Sequence, residues 1–349
     1  MLPAAHDAAW RPALTAPRSG SLSSQLSIQT WLARFLSTEG SFPLPIGGQF
    51  EPGRVHGYYI DMRVKAPKPS WPTGWPGEPG LHSYDAFAQM ALGCYERYIA
   101  GEGEPWLRMA RAVGDLLIEH QQVGGPRDGG LVHHYLLGHT FPIRPPSLSA
   151  MAQGQAASLL VRLHLETGEE RFADAARRAL RPFAIPTSRG GVQARLDGRP
   201  FPEEYPTHPS SYVLNGAIFA MWGQLDVGLG LGDEDARGDF EESVITLARN
   251  VHRWDSGSWS LYDLFPHPLP NVASPAYHAL HTNQLKAMQL IEPRPELAAT
   301  INAFERYAAS RAARTRAFAL KLVFRAAVPR SPRLARVWPG WVRRQAQSA

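Results

Sequence analysis

The chain has one cysteine, Cys94, so an internal disulfide is excluded, and no CxxC or mixed Cys/His spacing offers a zinc site. Cys94 lies in an apolar helical stretch and reads as a small buried residue. No run of about 20 apolar residues is present, which excludes a membrane-spanning helix. The N-terminus lacks a basic stretch followed by an apolar one, so no secretion signal is visible and a cytoplasmic location is expected. GxGxxG, P-loop and GxSxG elements are missing too, leaving nucleotide binding and serine-hydrolase chemistry without support. Acidic residues are absent from Ser310 onward, a stretch that holds ten of the 36 Lys and Arg. Without it the chain carries 26 bases against 31 acids, so the net charge of +5 belongs to a tail and a nucleic-acid-binding body is not indicated.

What is present suits one sizeable globular domain: 349 residues, 44% apolar and 19% charged. Aromatic residues reach 10%, with ten Trp and eleven Tyr. Pyranose rings stack on flat apolar faces, so this composition fits sugar binding; a Trp-rich core accounts for it equally well.

Residues 1–40 read as a flexible Ala, Pro and Ser-rich segment with a short helix over 25–36. Residues 40–80 are dense in Gly, Pro and aromatics and predict irregular chain or short strands, with 57–63 the best strand candidate. Helical periodicity then dominates. It predicts four pairs: 83–100 with 104–122, 149–166 with 169–183, 211–227 with 233–254, and 277–291 with 295–327. Each pair is joined by a short turn, which implies antiparallel neighbours, and the pairs recur roughly every 65 residues. The fold class expected is mainly α, an incomplete α/α toroid or (α/α)4-like barrel over 41–309, with a small irregular or β N-terminal segment and a basic tail over 310–349. The longer connections, 123–148, 184–210 and 255–276, gather at one end of such a ring, where a site is expected.

The first helices of the later pairs open with Ser or Pro, as caps and first-turn residues do. They then place amides and imidazoles among apolar residues: Gln153 and Gln155, then Asn215, then His278, His281, Asn283 and Gln284. Each, buried without a partner, costs about 1–3 kcal/mol. One or two would pass as satisfied core groups, but three helices each carrying polar groups point to a polar cavity. Helix N-termini aimed into it favour an anion such as a carboxylate. His278 and His281 are spaced for a metal, yet no carboxylate at helical spacing completes a site, so they read as hydrogen-bonding groups.

These segments resemble the C-terminal catalytic domain of the D-glucuronyl C5-epimerases of heparin and heparan sulfate biosynthesis. The run Ser149-Ala-Met-Ala-Gln-Gly-Gln155 is similar to the family's SAMAQGQ helix. Residues 203–216, EEYPTHPSSYVLNG, are similar to EEYPTTPSSFVLNG. Residues 257–264, GSWSLYDL, resemble GSGTIYDL, and 277–285, YHALHTNQL, resemble YHTTHINQL. The likeness runs from Ser149 to Ala287, with a weaker echo over 83–122. Four motifs in the right order make it highly specific.

The resemblance implies action on glucuronic acid within an acidic, heparosan-like polysaccharide, and catalytic roles for Glu204, Tyr205, Tyr262 and Tyr277. The chain departs from the family at three places. A substrate-binding Arg is replaced by Phe265, the second Thr of the YPTTP motif by His208, and a Tyr by Leu148. The large β-domain of the animal enzymes has no counterpart in these 349 residues.

The chemistry implied is abstraction of the C5 proton, α to a carboxylate, and its return from the other face. That needs an acid/base on each side and donors or cations at the carboxylate. Tyrosine, with an ordinary pKa of about 10, matches so weak a carbon acid better than a carboxylate does. The substrate-binding set read from the sequence is Gln153, Gln155, Asn215, Asn283, His208, His278, His281 and Arg144, the last four as candidates to neutralise the uronate. No organic cofactor and no metal are required. The alternatives are a polysaccharide lyase, which expels the C4 oxygen from the same carbanion, and a non-catalytic glycan-binding relative. Bases interleaved with Trp338, Trp341 and other apolar groups in the tail suit contact with an anionic membrane surface, or equally a solvated helix. The oligomeric state is left open, a homodimer being one form.

Overall fold

The computed structural model describes residues 44–72, 84–134, 140–141, 143–328. The helix expected over 25–36 and the tail from 329 lie outside the described residues. The protein is mainly α. Its helices are α1 Tyr84–Arg97, α2 Glu104–His120, α3 Ala150–Thr167, α4 Glu170–Leu180, α5 Leu214–Leu231, α6 Glu234–Asn250, α7 Pro275–Ile291, α8 Pro295–Ala309 and α9 Arg311–Ala327. None among the described residues is long and apolar enough to cross a membrane.

The repeat is visible in the contacts between first helices. Gln89 of α1 donates to Gln155 of α3, 66 residues on. Asn215 of α5 reaches Met151 of α3, and Arg162 of α3 pairs with Asp226 of α5, each across 64 residues. Gln284 of α7 donates to the Asn215 carbonyl across 69. A nearly constant offset means that these helices run parallel, side by side, with their N-terminal ends together. α3 and α5 are buried on almost every side, whereas α4 is strongly amphipathic and buries only its alanine and Phe172 face. α3 and α5 approach so closely that a Cβ on Gly223 would stand 2.4 Å from the Gly154 Cα; glycine is needed at the crossing.

The segment Gly57 to Arg63, read as a strand, makes one bridge, Ile46 with Ile60. It instead lies among the first helices, with Tyr58, Tyr59, Ile60 and Met62 buried. Its main-chain groups are shared between the chain at 45–47, through the Gly47 amide to the Tyr59 carbonyl and the Asp61 amide to the Pro45 carbonyl, and helix side chains: Arg162 donates to the carbonyls of His56 and Gly57, and the Met62 amide donates to Glu96.

Further boundaries differ from the sequence reading. The helix expected from 211 starts at Leu214, because the Ser211 and Tyr212 amides are held by Glu203 and Tyr212 has φ 48°. The helix expected over 295–327 is two, divided at Ser310, whose side chain caps α9 by accepting from the Ala313 amide. The loop 184–210 contains an antiparallel hairpin, β1 Gln193–Leu196 and β2 Arg199–Pro202, turned at Asp197 and Gly198, both at positive φ. Residues 311–327, read both as the end of that helix and as the start of the tail, form α9, whose Ala317, Lys321 and Phe324 are buried.

Candidate active site

Strand β2 runs directly into Glu203, Glu204 and Tyr205. Glu203 is fully buried and anchors the segment that follows. Its carboxylate accepts from the Ser211 amide, the Ser211 hydroxyl at 2.7 Å and the Tyr212 amide at 2.7 Å. Its carbonyl accepts from the Ala150 amide at the start of α3. Glu204, next in the chain, then points at the first turn of α5. A Cβ on Gly216 would lie 2.1 Å from Glu204 Oε2, so only glycine leaves room for this carboxylate.

Tyr262 is placed against the same helix start. Its carbonyl accepts from the Leu214 amide and its amide donates to the Asn271 carbonyl, while the Leu264 amide donates to Ser211. Tyr277 comes from the first turn of α7, where Ser274 caps its amide, and it is 39% exposed. The Tyr262 and Tyr277 rings meet edge to face at 5.0 Å. Tyr205 lies against Phe141 at 5.2 Å. The Tyr205 hydroxyl interacts with the Glu204 carboxylate and with Tyr262. Four groups from three separate segments therefore converge.

Their surroundings shift them upward. Burial, with the Tyr205 hydrogen bond opposing and nearby Asp85, Glu203 and Asp263 adding, pushes Glu204 up to about 8. Burial first, and the Glu204 carboxylate next, push the Tyr205 and Tyr262 hydroxyls well above their ordinary range. Glu204 Oε2 is buried with no hydrogen-bond partner.

The other polar residues singled out from sequence divide into two groups. Gln153 is bonded only to main chain, accepting from the Leu131 amide and donating to the Gly129 and Ala179 carbonyls. It holds a loop and α4 in place, and no polar atom is left for a substrate. His278 accepts from the Ser260 amide at Nδ1, so its Nε2 carries the proton and donates to the Phe304 carbonyl. It stacks on Trp259 at 3.8 Å, and burial holds it down to about 4. Asn283 donates to the Leu44 carbonyl, fastening the N-terminal segment to α7. All three are held by main-chain partners.

The second group is unsatisfied. Asn215 Oδ1, Gln155 Nε2, His281 Nε2 and Gln284 Oε1 are buried without partners. His281 touches Ser260 through Nδ1, and burial pushes it down to about 3, so it stays neutral. His208 and Arg144 are exposed, on the chain between Tyr205 and α5 and on the chain between Phe141 and α3. Among the described residues, no three His, Cys, Asp or Glu groups converge as metal ligands would.

Sequence reasoning missed several neighbours. Glu203 was hidden by its twin; a buried pair of acids is itself a signal, since one of the two needs an anchor. Asp263, directly after Tyr262, accepts from the Phe265 amide and from Asn271 and lies 3.2 Å from His267. Phe141 and the α9 residues Lys321 and Phe324 carry no local signal of a site.

Comparison with known proteins places this geometry. Residues 131–306 match the family model described as the D-glucuronyl C5-epimerase C-terminus, half of the chain. A D-glucuronyl C5-epimerase of Caenorhabditis elegans is 35% identical over 182 residues, covering 48% of this chain and 30% of that protein. An uncharacterized protein of Methanocaldococcus jannaschii is 31% identical over 123 residues, covering 34% of this chain and 40% of the other. The chain thus spans less than half the length of either relative.

Proposed function

The chain belongs to the D-glucuronyl C5-epimerase C-terminal family, and from that premise we propose that it inverts C5 of D-glucuronic acid units within a heparosan-like acidic polysaccharide, giving L-iduronic acid. The observation that carries the proposal is the convergence of Glu204, Tyr205, Tyr262 and Tyr277, with a buried carboxylate oxygen that has no partner.

The C5–H bond breaks and its electron pair moves into the uronate, making an enediolate; a proton then returns to C5 from the opposite face. Tyr205, joined to Glu204, serves one face. Tyr262 and Tyr277, in edge contact, serve the other. Glu204, poised near 8, accepts a proton from Tyr205 and returns it, which is the use of a carboxylate raised toward neutrality. The developing charge meets the open amide donor of Gln155 at the N-terminal ends of the first helices. His208 and Arg144 contact the uronate or its neighbours in the chain. The reaction needs no organic cofactor. The Arg-rich residues 329–349, which follow α9 in the sequence, contact an anionic membrane surface at the cytoplasmic face, beside the exposed Leu322 and Val323 of that helix.

Incubation with a glucuronic acid polymer in heavy water tests the reading. Deuterium at C5, with iduronic acid and constant chain length, is expected. Chain shortening with an unsaturated uronic end would make the protein a lyase, and retention of the polymer without either product a binding module.

A further inference from the structure

Helix α9 lies beyond residues 131–306, the part matched by the family. It nevertheless inserts a lysine into the loop that carries Tyr262. Lys321 is buried, and its Nζ donates to Asn271 Oδ1 at 2.8 Å and to the Val272 carbonyl at 2.7 Å. An ammonium can only donate, so it fixes which end of the Asn271 amide faces it. The Nδ2 end must then face Asp263, and it does, donating to Oδ2. Asp263 in turn receives the Phe265 amide at 3.1 Å. The Asn271 carbonyl receives the Tyr262 amide at 2.8 Å. Remove the ammonium and the amide loses the partner that orients it, Asp263 becomes a buried carboxylate short of a donor, and both sides of Tyr262 are released. A buried charge with no role would be replaced without loss by an apolar side chain.

We propose that Lys321 is a positioning residue of the reaction centre, acting through Asn271 and Asp263 to hold Tyr262 at the N-terminal end of α5; its catalytic half rests on the epimerase reading above. Lys321 touches no substrate in this scheme. It differs from a merely structural lysine in that its loss should displace one tyrosine and slow the proton transfer while the helices stay folded.

The test places 3-fluorotyrosine at position 262 and compares the full-length protein with Lys321→Met, Lys321→Arg and, as a control on the exposed face of α9, Arg316→Ala. In Lys321→Met the fluorine resonance of residue 262 should shift or broaden, and kcat for C5 exchange should fall on the order of 100-fold with KM changed less than about threefold. Lys321→Arg, which restores a donor, should recover most of both, and Arg316→Ala should match the wild type. An unmoved fluorine line or wild-type turnover in Lys321→Met would overturn the proposal. Should Lys321→Met not fold, Asn271→Ala, which cuts the same link and leaves the Val272 contact, is read by the same two criteria. If the wild type exchanges no C5 proton from any uronic polymer, the epimerase reading fails, and the fluorine line alone decides whether Lys321 holds Tyr262.

Discussion

The two ends of α3 and α5 carry buried polar clusters of similar composition and opposite character. Toward the C-terminal ends, Arg162 and Asp226 are both fully buried and paired at 2.6 Å. Asp226 also accepts from the Tyr59 hydroxyl at 2.8 Å, and Arg162 donates to the carbonyls of His56, Gly57 and Ser158. No polar atom of Arg162, Asp226 or Tyr59 lacks a partner, although the neighbouring Tyr58 and Ser158 hydroxyls do. At the N-terminal ends Glu204 has no salt-bridge partner among the described residues, one of its oxygens is unpartnered, and amide and imidazole atoms of Asn215, Gln155, Gln284 and His281 are unpartnered too. Both clusters combine carboxylate, tyrosine and burial. What separates the two ends is the carboxylate: Asp226 is met by a cation and a hydroxyl, whereas one oxygen of Glu204 is left open at a cost in stability.

The largest expected effect breaks the closed end. Arg162→Met leaves Asp226 buried without its cation and should lower unfolding free energy by about 3–5 kcal/mol. Chemical denaturation measures it, and a variant of wild-type stability that had lost turnover would reverse the roles assigned to the two ends.

At the open end the same kind of change should act on rate. Glu204→Gln should reduce turnover roughly 100-fold, the usual loss for an acid/base group, and should remove a rising limb near pH 8 from the kcat profile. Its effect on stability has the opposite sign from that of Arg162. The folded-state pKa of Glu204 is raised from 4.5 to about 8. Its stabilising contribution is therefore complete below pH 4.5 and lost as pH rises through 8. The wild type should weaken between pH 5 and 8, and Glu204→Gln should weaken less. Equal slopes in the two proteins would show that Glu204 ionises as freely folded as unfolded.

The smallest effect on turnover concerns neither end. Deleting residues 329–349 should leave C5 exchange intact and abolish binding to anionic vesicles, at roughly 1 kcal/mol per basic residue removed from the surface. Unchanged vesicle binding would assign the tail another role.

Much of this was legible in the sequence because helical periodicity and caps are local. Ser149 and Ser274 cap their helices, accepting from the amides of Ala152 and Tyr277, and the roughly 65-residue recurrence is the offset that sets α3 against α5. The Asp197-Gly198 hairpin was legible too, as a turn dipeptide, and was overlooked. What periodicity cannot show is whether a buried amide will find a partner. Gln153 and Gln155 look alike on paper; one meets three main-chain groups and the other keeps a bare Nε2. Nor does a run of basic residues reveal that Lys321 turns inward while Arg316 stays outside. Such distinctions depend on loops that return from far along the chain.

The central claim is that the open cluster supplies an acid/base group to each face of C5. It is tested most directly by following solvent deuterium into C5 from glucuronic and iduronic polymers separately, in Tyr205→Phe, Tyr262→Phe and Tyr277→Phe. Each variant should cut net epimerisation by roughly 100-fold or more, and Tyr205→Phe should suppress exchange from one epimer while a Tyr262 or Tyr277 variant suppresses it from the other. Near-normal exchange from both epimers in all three variants would contradict the account.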